Sequence, residues 1–99
     1  MRIVVLFNLK PGVTRADYEH WARTRDLPTV RSLASIAAFD VFRATGTLTG
    51  DKSPYDYVEI IDVRDMDRFG ADVATDPMPA IAAEFGALVD ATFIMTEVL

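Results

Sequence analysis

The chain has 99 residues, 51% of them hydrophobic and 25% charged, which is the make-up of one folded domain rather than of a disordered segment. Fifteen Asp and Glu against ten Lys and Arg leave a net charge of −5, which argues against nucleic acid or an anionic membrane as partner. With no cysteine and a single histidine, His20, the sequence excludes disulfides, thiol chemistry and multi-histidine metal sites.

Residues 2–9 (RIVVLFNL) are apolar, β-branched and closed by Pro11-Gly12, so they read as a buried strand. The run is too short to span a bilayer and ends without a small-residue cleavage site, so a cytoplasmic protein is expected rather than a secreted one. Thr14 suits a helix N-cap, with Asp17 three residues later in a variant of the capping box. Tyr18, Trp21, Ala22 and Arg25 then recur at helical spacing, and Arg15–Glu19 and Glu19–Arg23 are i,i+4 ion pairs on the outer face. Asp26-Leu27-Pro28 is expected to end that helix, because the residue before proline avoids the helical region. A short turn through Val30 and Leu33 follows.

Residues 38–45 and 55–63 read as two more strands, joined by a loop containing Gly46, Gly50 and Pro54. Met66, Phe69, Gly70 and Val73 share a helical face behind an Asp65 cap. Asp76-Pro77 is expected to cap and start the next helix, whose apolar stripe is Met78, Ile81, Ala82, Phe85, Leu88 and Val89. Residues 92–98 read as the final strand. The order βαββαβ is that of an α+β, ferredoxin-like plait with helices on one side of a four-stranded sheet.

Both faces of that sheet are apolar. The first strand offers Ile3, Val5 and Phe7 on one side and Val4 and Leu6 on the other; the third offers Ile61 and Val63 against Val58 and Ile60. The helices cover one face only, so the other needs a second cover, and the simplest is another copy, sheet against sheet, in an isologous homodimer.

Several stretches carry a family likeness: Val4–Val13 (VVLFNLKPGV), Asp17–Val30 (DYEHWARTRDLPTV), Phe39–Gly46 (FDVFRATG) and Pro54–Val63 (PYDYVEIIDV). In this order and spacing they resemble the RedY-like (HapK-type) family of the dimeric α/β-barrel superfamily. The resemblance implies a dimer with a small-molecule cleft between helices and sheet in each subunit. It also implies action on reactive indole- or pyrrole-derived intermediates: cyclisation in bisindole pathways, condensation in prodiginine pathways. Many relatives in the wider superfamily carry a histidine before Leu-Pro and another in a His-Pro segment; here those places are Asp26 and Asp76. Their histidine chemistry does not carry over, and a haem-binding reading is weakened for the same reason.

The remaining chemistry rests on carboxylates, aromatics and one imidazole. Glu59 shares a strand face with Tyr55, Tyr57, Ile61 and Val63, where a carboxyl is partly desolvated and suited to general acid–base work; otherwise it bonds a tyrosine or pairs with Arg43 for structural reasons. Asp26, placed by the superfamily analogy at the mouth of the cleft, is either a base, a counter-ion to an iminium, or an ordinary turn aspartate. His20 is a proton shuttle or a plain exposed imidazole. Arg43 binds a substrate carboxylate or pairs with an acid of the protein. Tyr18, Trp21, Tyr55 and Tyr57 are candidates for stacking on a planar aromatic substrate, against the plain core reading, and Asn8 for orienting a ligand carbonyl or N–H.

Gly46 and Gly50 lie in a hairpin connection with no following helix, so no phosphate cradle is present and neither cofactor nor metal is expected. The expectation is a small cofactor-independent enzyme. The alternatives are a binding protein that sequesters a labile intermediate and a monooxygenase of the dimeric α/β-barrel type.

Overall fold

A computed structural model describes all of residues 1–99. Strand β1 (Arg2–Leu9) leads into helix α1 (Arg15–Trp21), a π-helical segment (Ala22–Asp26) and helix α2 (Leu27–Arg31). Strands β2 (Ile36–Arg43) and β3 (Tyr57–Val63) follow, then α3 (Met66–Val73), α4 (Met78–Leu88) and β4 (Val89–Met95). The sheet is antiparallel throughout, in the order β2-β3-β1-β4. This is the ferredoxin-like α+β plait, with the first and third strands at its centre.

Register and burial agree on which face is covered. Val41, Glu59, Val5 and Phe93 form one cross-strand row, and Arg43, Tyr57, Phe7 and Ala91 form the next, all on the helix side. Tyr57, Glu59, Ile61 and Val63 of β3 are buried there, while Val58, Ile60 and Asp62 between them are half-buried on the other face. The core joins these strand residues to Tyr18, Ala22, Val30, Met78 and Ile81 from the helices.

The helix starts follow their caps. Thr14 Oγ1 accepts from the Asp17 N–H at 3.1 Å, and Asp65 Oδ1 accepts from the Asp67 and Arg68 N–H groups at 3.0 and 3.2 Å. Replacing Thr14 with alanine orphans one of those helix-end donors and is expected to cost about 1 kcal/mol, read as a lower urea midpoint at unchanged slope.

Four local expectations are corrected. Asp26-Leu27-Pro28 does not end the first helix; the chain passes it through a π turn in which the Leu27 N–H reaches Ala22 O. The wider turn accommodates the proline, which has no N–H to donate. Asp76 does not cap α4: Pro77 holds the cap position without a side-chain bond, after a cis Asp76-Pro77 peptide. The last strand is Val89–Met95 rather than 92–98, because Val89 leaves the helix for an extended, buried position opposite Leu9. Arg15 pairs not with Glu19 but with Asp56 at 3.8 Å, its guanidinium 5.1 Å from the centre of the Tyr57 ring.

The β2–β3 connection turns at Gly50, whose φ of +91° is open to glycine and strained for other residues. Tyr55 lies in this connection ahead of β3, half-buried, with its N–H on Ser53 Oγ.

Candidate functional site

Asp26 reaches the interior because of the π turn. Tyr18 and Ala22 lie one turn apart on the buried side of α1, and an unbroken α-helix would carry position 26 beyond their line. The wider turn holds Asp26 on that line, and its side chain is buried at 4% exposure. Glu59 arrives from the sheet, on β3 between Val41 of β2 and Val5 of β1, at 3% exposure.

Both carboxyls line a cavity of about 170 Å³ between the sheet, the Asp26 segment, α3 and α4. They are its only ionisable groups. The rest of the wall is apolar and includes Phe39, Phe69, Phe85 and Phe93. Glu59 Oε2 is wholly buried without a hydrogen-bond partner. Burial pushes the Glu59 carboxyl up to about 8, with the charge of Asp26 adding to it. Burial alone pushes Asp26 up to about 7. The Tyr18 hydroxyl is also buried without a partner, and its pKa is raised by burial first and then by the charges of Glu59 and Asp26. Two interacting acids poised near neutrality in an apolar space are suited to exchanging protons with a bound molecule.

A second, polar constellation stands on the β2 side. Glu19, half-buried on α1, accepts from Arg43 Nε at 2.9 Å, from the Tyr57 hydroxyl at 2.7 Å and from Arg23 at 3.3 Å. The bond to Arg43, then that to Tyr57, holds the Glu19 carboxyl down to about 2. Arg43 is thereby taken: it pairs with Glu19, not with Glu59. The alternation pattern left its face open, and the register with Tyr57 puts it on the helix side, one row away from Glu59.

The other residues singled out in the sequence disperse. His20 is exposed on the outer side of α1, over a shallow depression shared with Arg15, Arg23 and Thr24, and does not line the acid cavity. The geometry therefore gives it no proton to shuttle for Glu59 or Asp26. Trp21 donates to Glu84 at 2.9 Å and stacks on Phe85, bracing α4 from outside the cavity. Tyr18 and Tyr57 pack on Phe7 with ring centres 5.4 Å away, as core. Asn8 holds the β2–β3 connection, donating to Pro54 O at 3.2 Å and accepting from the Asp56 N–H at 2.9 Å; Tyr55 sits in that same connection, away from the acids. What the sequence reading passed over is Glu19 as a hub, and the phenylalanines as a wall. Phe69 and Phe85 stood in the predicted helical stripes; nothing in the sequence aligned them with Phe39 and Phe93.

A family model described as REDY-like protein HapK matches residues 1–99. The chain belongs to that family. The crystal structure of HapK from Hahella chejuensis is 29% identical to this REDY-like protein, with a TM-score of 0.77 over 100% of this chain and 93% of that one. A dimeric ferredoxin-like protein of unknown function from Thermobifida fusca is 20% identical with a TM-score of 0.71, over 94% of this chain and 85% of that one. SnoaB, a cofactor-independent oxygenase from Streptomyces nogalater, is 14% identical with a TM-score of 0.68, over 99% and 95% of the two chains. The last two share the fold with this protein. No functionally curated protein matched the sequence. No helix is long and apolar enough to cross a membrane, and no three His, Cys, Asp or Glu side chains meet in a metal-binding group.

Proposed function

We propose that this REDY-like protein is a cofactor-independent enzyme of secondary metabolism, acting on a reactive indole- or pyrrole-derived intermediate of bisindole or prodiginine type. It guides cyclisation or condensation by holding the ring system in the apolar cavity and moving protons at Glu59 and Asp26. The observation that carries this reading is the pair of buried carboxyls facing one apolar space, with Glu59 Oε2 left without a partner. Family membership supports it, and a cofactor-independent oxygenase among the structural neighbours shows, by analogy of fold alone, that the plait hosts small-molecule chemistry. The cavity suits a ring of this size, since an apolar space of about 150 Å³ takes benzene.

In the proposed step one ionised carboxylate takes the proton lost from a ring N–H or C–H as the new bond forms. The neutral partner gives its proton to the atom that gains negative charge. In a condensation that atom is the carbonyl oxygen, which takes a second proton from the pair and leaves as water while a ring N–H or C–H gives up its proton. A second exchange restores the pair, so no oxidant or reductant is consumed. Positioning supplies the other part of the rate, by holding the reacting atoms at contact distance. The working unit in this reading is a homodimer, joined through the open sheet face; a dimeric neighbour of the same fold supports it.

The test is LC–MS of the upstream pathway enzymes, run with and without the protein. Addition is expected to shift the products toward the cyclised or condensed compound, and Glu59→Gln to slow that conversion by about 10²-fold or more. A product distribution that ignores the protein, with tight binding retained, would establish a sequestering role. Consumption of oxygen would establish a monooxygenase.

A further inference from the structure

We propose that the cavity selects a positively charged planar aromatic, an aryl-linked amine or iminium whose charged N–H sits between Asp26 and Glu59. The inference rests on the cavity assigned above as the site and adds the charge of its ligand. Three observations point there together.

The first is a missing partner: Glu59 Oε2 is wholly buried with no donor, and no basic side chain lines the cavity. A buried acid pair is normally matched by a cation or by hydrogen-bond donors. The second is that the nearby arginines are engaged elsewhere. Arg25 makes two 2.8 Å bonds to Glu84, Arg31 binds Phe39 O and Asp40, and Arg23 and Arg43 bind Glu19. The third is the wall. Phe39, Phe69, Phe85 and Phe93 face the same space as the two acids, and Phe85 and Phe93 meet edge to face at 6.2 Å. Aromatic faces attract an organic cation and also stack on a planar ring. A hard metal ion finds no such welcome, because it demands more oxygen ligands than two carboxyls amid phenylalanines supply.

The ionisable groups around the pair are few. The π segment brings Asp26, β3 brings Glu59, and α1 brings the Tyr18 hydroxyl, while the cavity-lining residues of β2, β4, α3 and α4 are apolar. A cationic ligand keeps both acids ionised at neutral pH; a neutral one leaves them sharing protons. The cavity thus discriminates by charge, through the same carboxyls that move protons.

The experiment measures binding of three probes at pH 7.5 by calorimetry: tryptamine, which is cationic, indole, which is neutral, and indole-3-acetate, which is anionic. Tryptamine is expected to bind about tenfold tighter than indole, or better, as charge-assisted hydrogen bonds imply, and indole-3-acetate weakest. The preference should shrink in Glu59→Gln and Asp26→Asn and vanish in the double variant. Phe93→Leu, at an exposed edge of the wall, should weaken tryptamine several-fold while the fold, checked by circular dichroism, stays intact. Equal affinity for tryptamine and indole, or a preference that survives the double variant, would overturn the inference. If products still depend on Glu59 while the charge preference is absent, the enzyme reading stands and this inference falls. Charge selectivity without any effect on products leaves this inference standing and removes the catalytic reading.

Discussion

At pH 8.5 the Glu59→Gln protein should melt on the order of 10 °C above the wild type, and at pH 5 the advantage should vanish or reverse. The reason lies in the direction of the shifts. Glu59 goes from an ordinary 4.5 to about 8 on folding and Asp26 from 3.8 to about 7, so between those values the native state holds more protons than the unfolded chain. Stability contributed by such groups is complete below the unfolded values and is lost as pH rises through 7 and 8. Above that, the fold must carry two ionised carboxylates in one apolar cavity, with Glu59 Oε2 unpartnered. Glutamine is neutral at every pH and removes one of them, leaving an unsatisfied amide worth about 1–3 kcal/mol as the remaining cost. Glu19 and Glu84 are shifted the other way, to about 2, but their contribution is lost only as pH falls below the carboxylate range, outside this window. Differential scanning fluorimetry from pH 5 to 9 reads the effect. A wild type whose melting temperature rises steadily across that range would show that the acids are not buried as described. A variant that gains stability while losing activity is the signature of a site kept at the expense of stability.

Ile60→Lys should convert the proposed dimer to monomers without unfolding the subunit. Ile60 lies at the centre of the uncovered face, in register with Val4 on one side and Asp40 on the other. Val4, Leu6, Val58 and Ile94 lie around it, and Phe42 stands 53% exposed towards the β2 edge. The charged groups sit at the margin: Arg2 with Asp62 at 2.7 Å, and Asp40 with Arg31 at 3.2 Å. An apolar centre with a polar rim is the anatomy of an interface. In a two-fold assembly one substitution enters twice, and an unpaired buried charge costs several kcal/mol each time, so the dissociation constant should rise by about 10³-fold or more. Light scattering coupled to size exclusion decides it. A monomeric wild type at micromolar concentration would end the dimer reading.

Much of the fold was legible in the sequence because it is set by local pattern. Period-2 alternation in VVLFNL and YVEIIDV identified both central strands and put Glu59 on the same face as Ile61 and Val63. The Thr14 and Asp65 caps marked two helix starts. Boundaries failed where tertiary packing outweighed local preference. Pro28 was expected to end a helix that a π turn carries through, and Val89 was read with the helical stripe although its pairing with Leu9 makes it strand. Of the two predicted ion pairs, Glu19–Arg23 formed at 3.3 Å and Arg15–Glu19 failed for a similar reason. Spacing put Glu19 with Arg15, while the sheet register delivered Arg43 and Tyr57 to it from 24 and 38 residues away.

By itself the sequence determined the acidic, cysteine-free composition, the βαββαβ order, two apolar sheet faces and a buried glutamate. Each is a property of composition or of residues a few positions apart. Only the tertiary structure decided that Asp26, 33 positions away, shares a cavity with that glutamate, that four phenylalanines close around both, and that His20 stands outside. Those facts depend on the phase of one π turn and on the stacking of α4 over the sheet, and no local spacing encodes either.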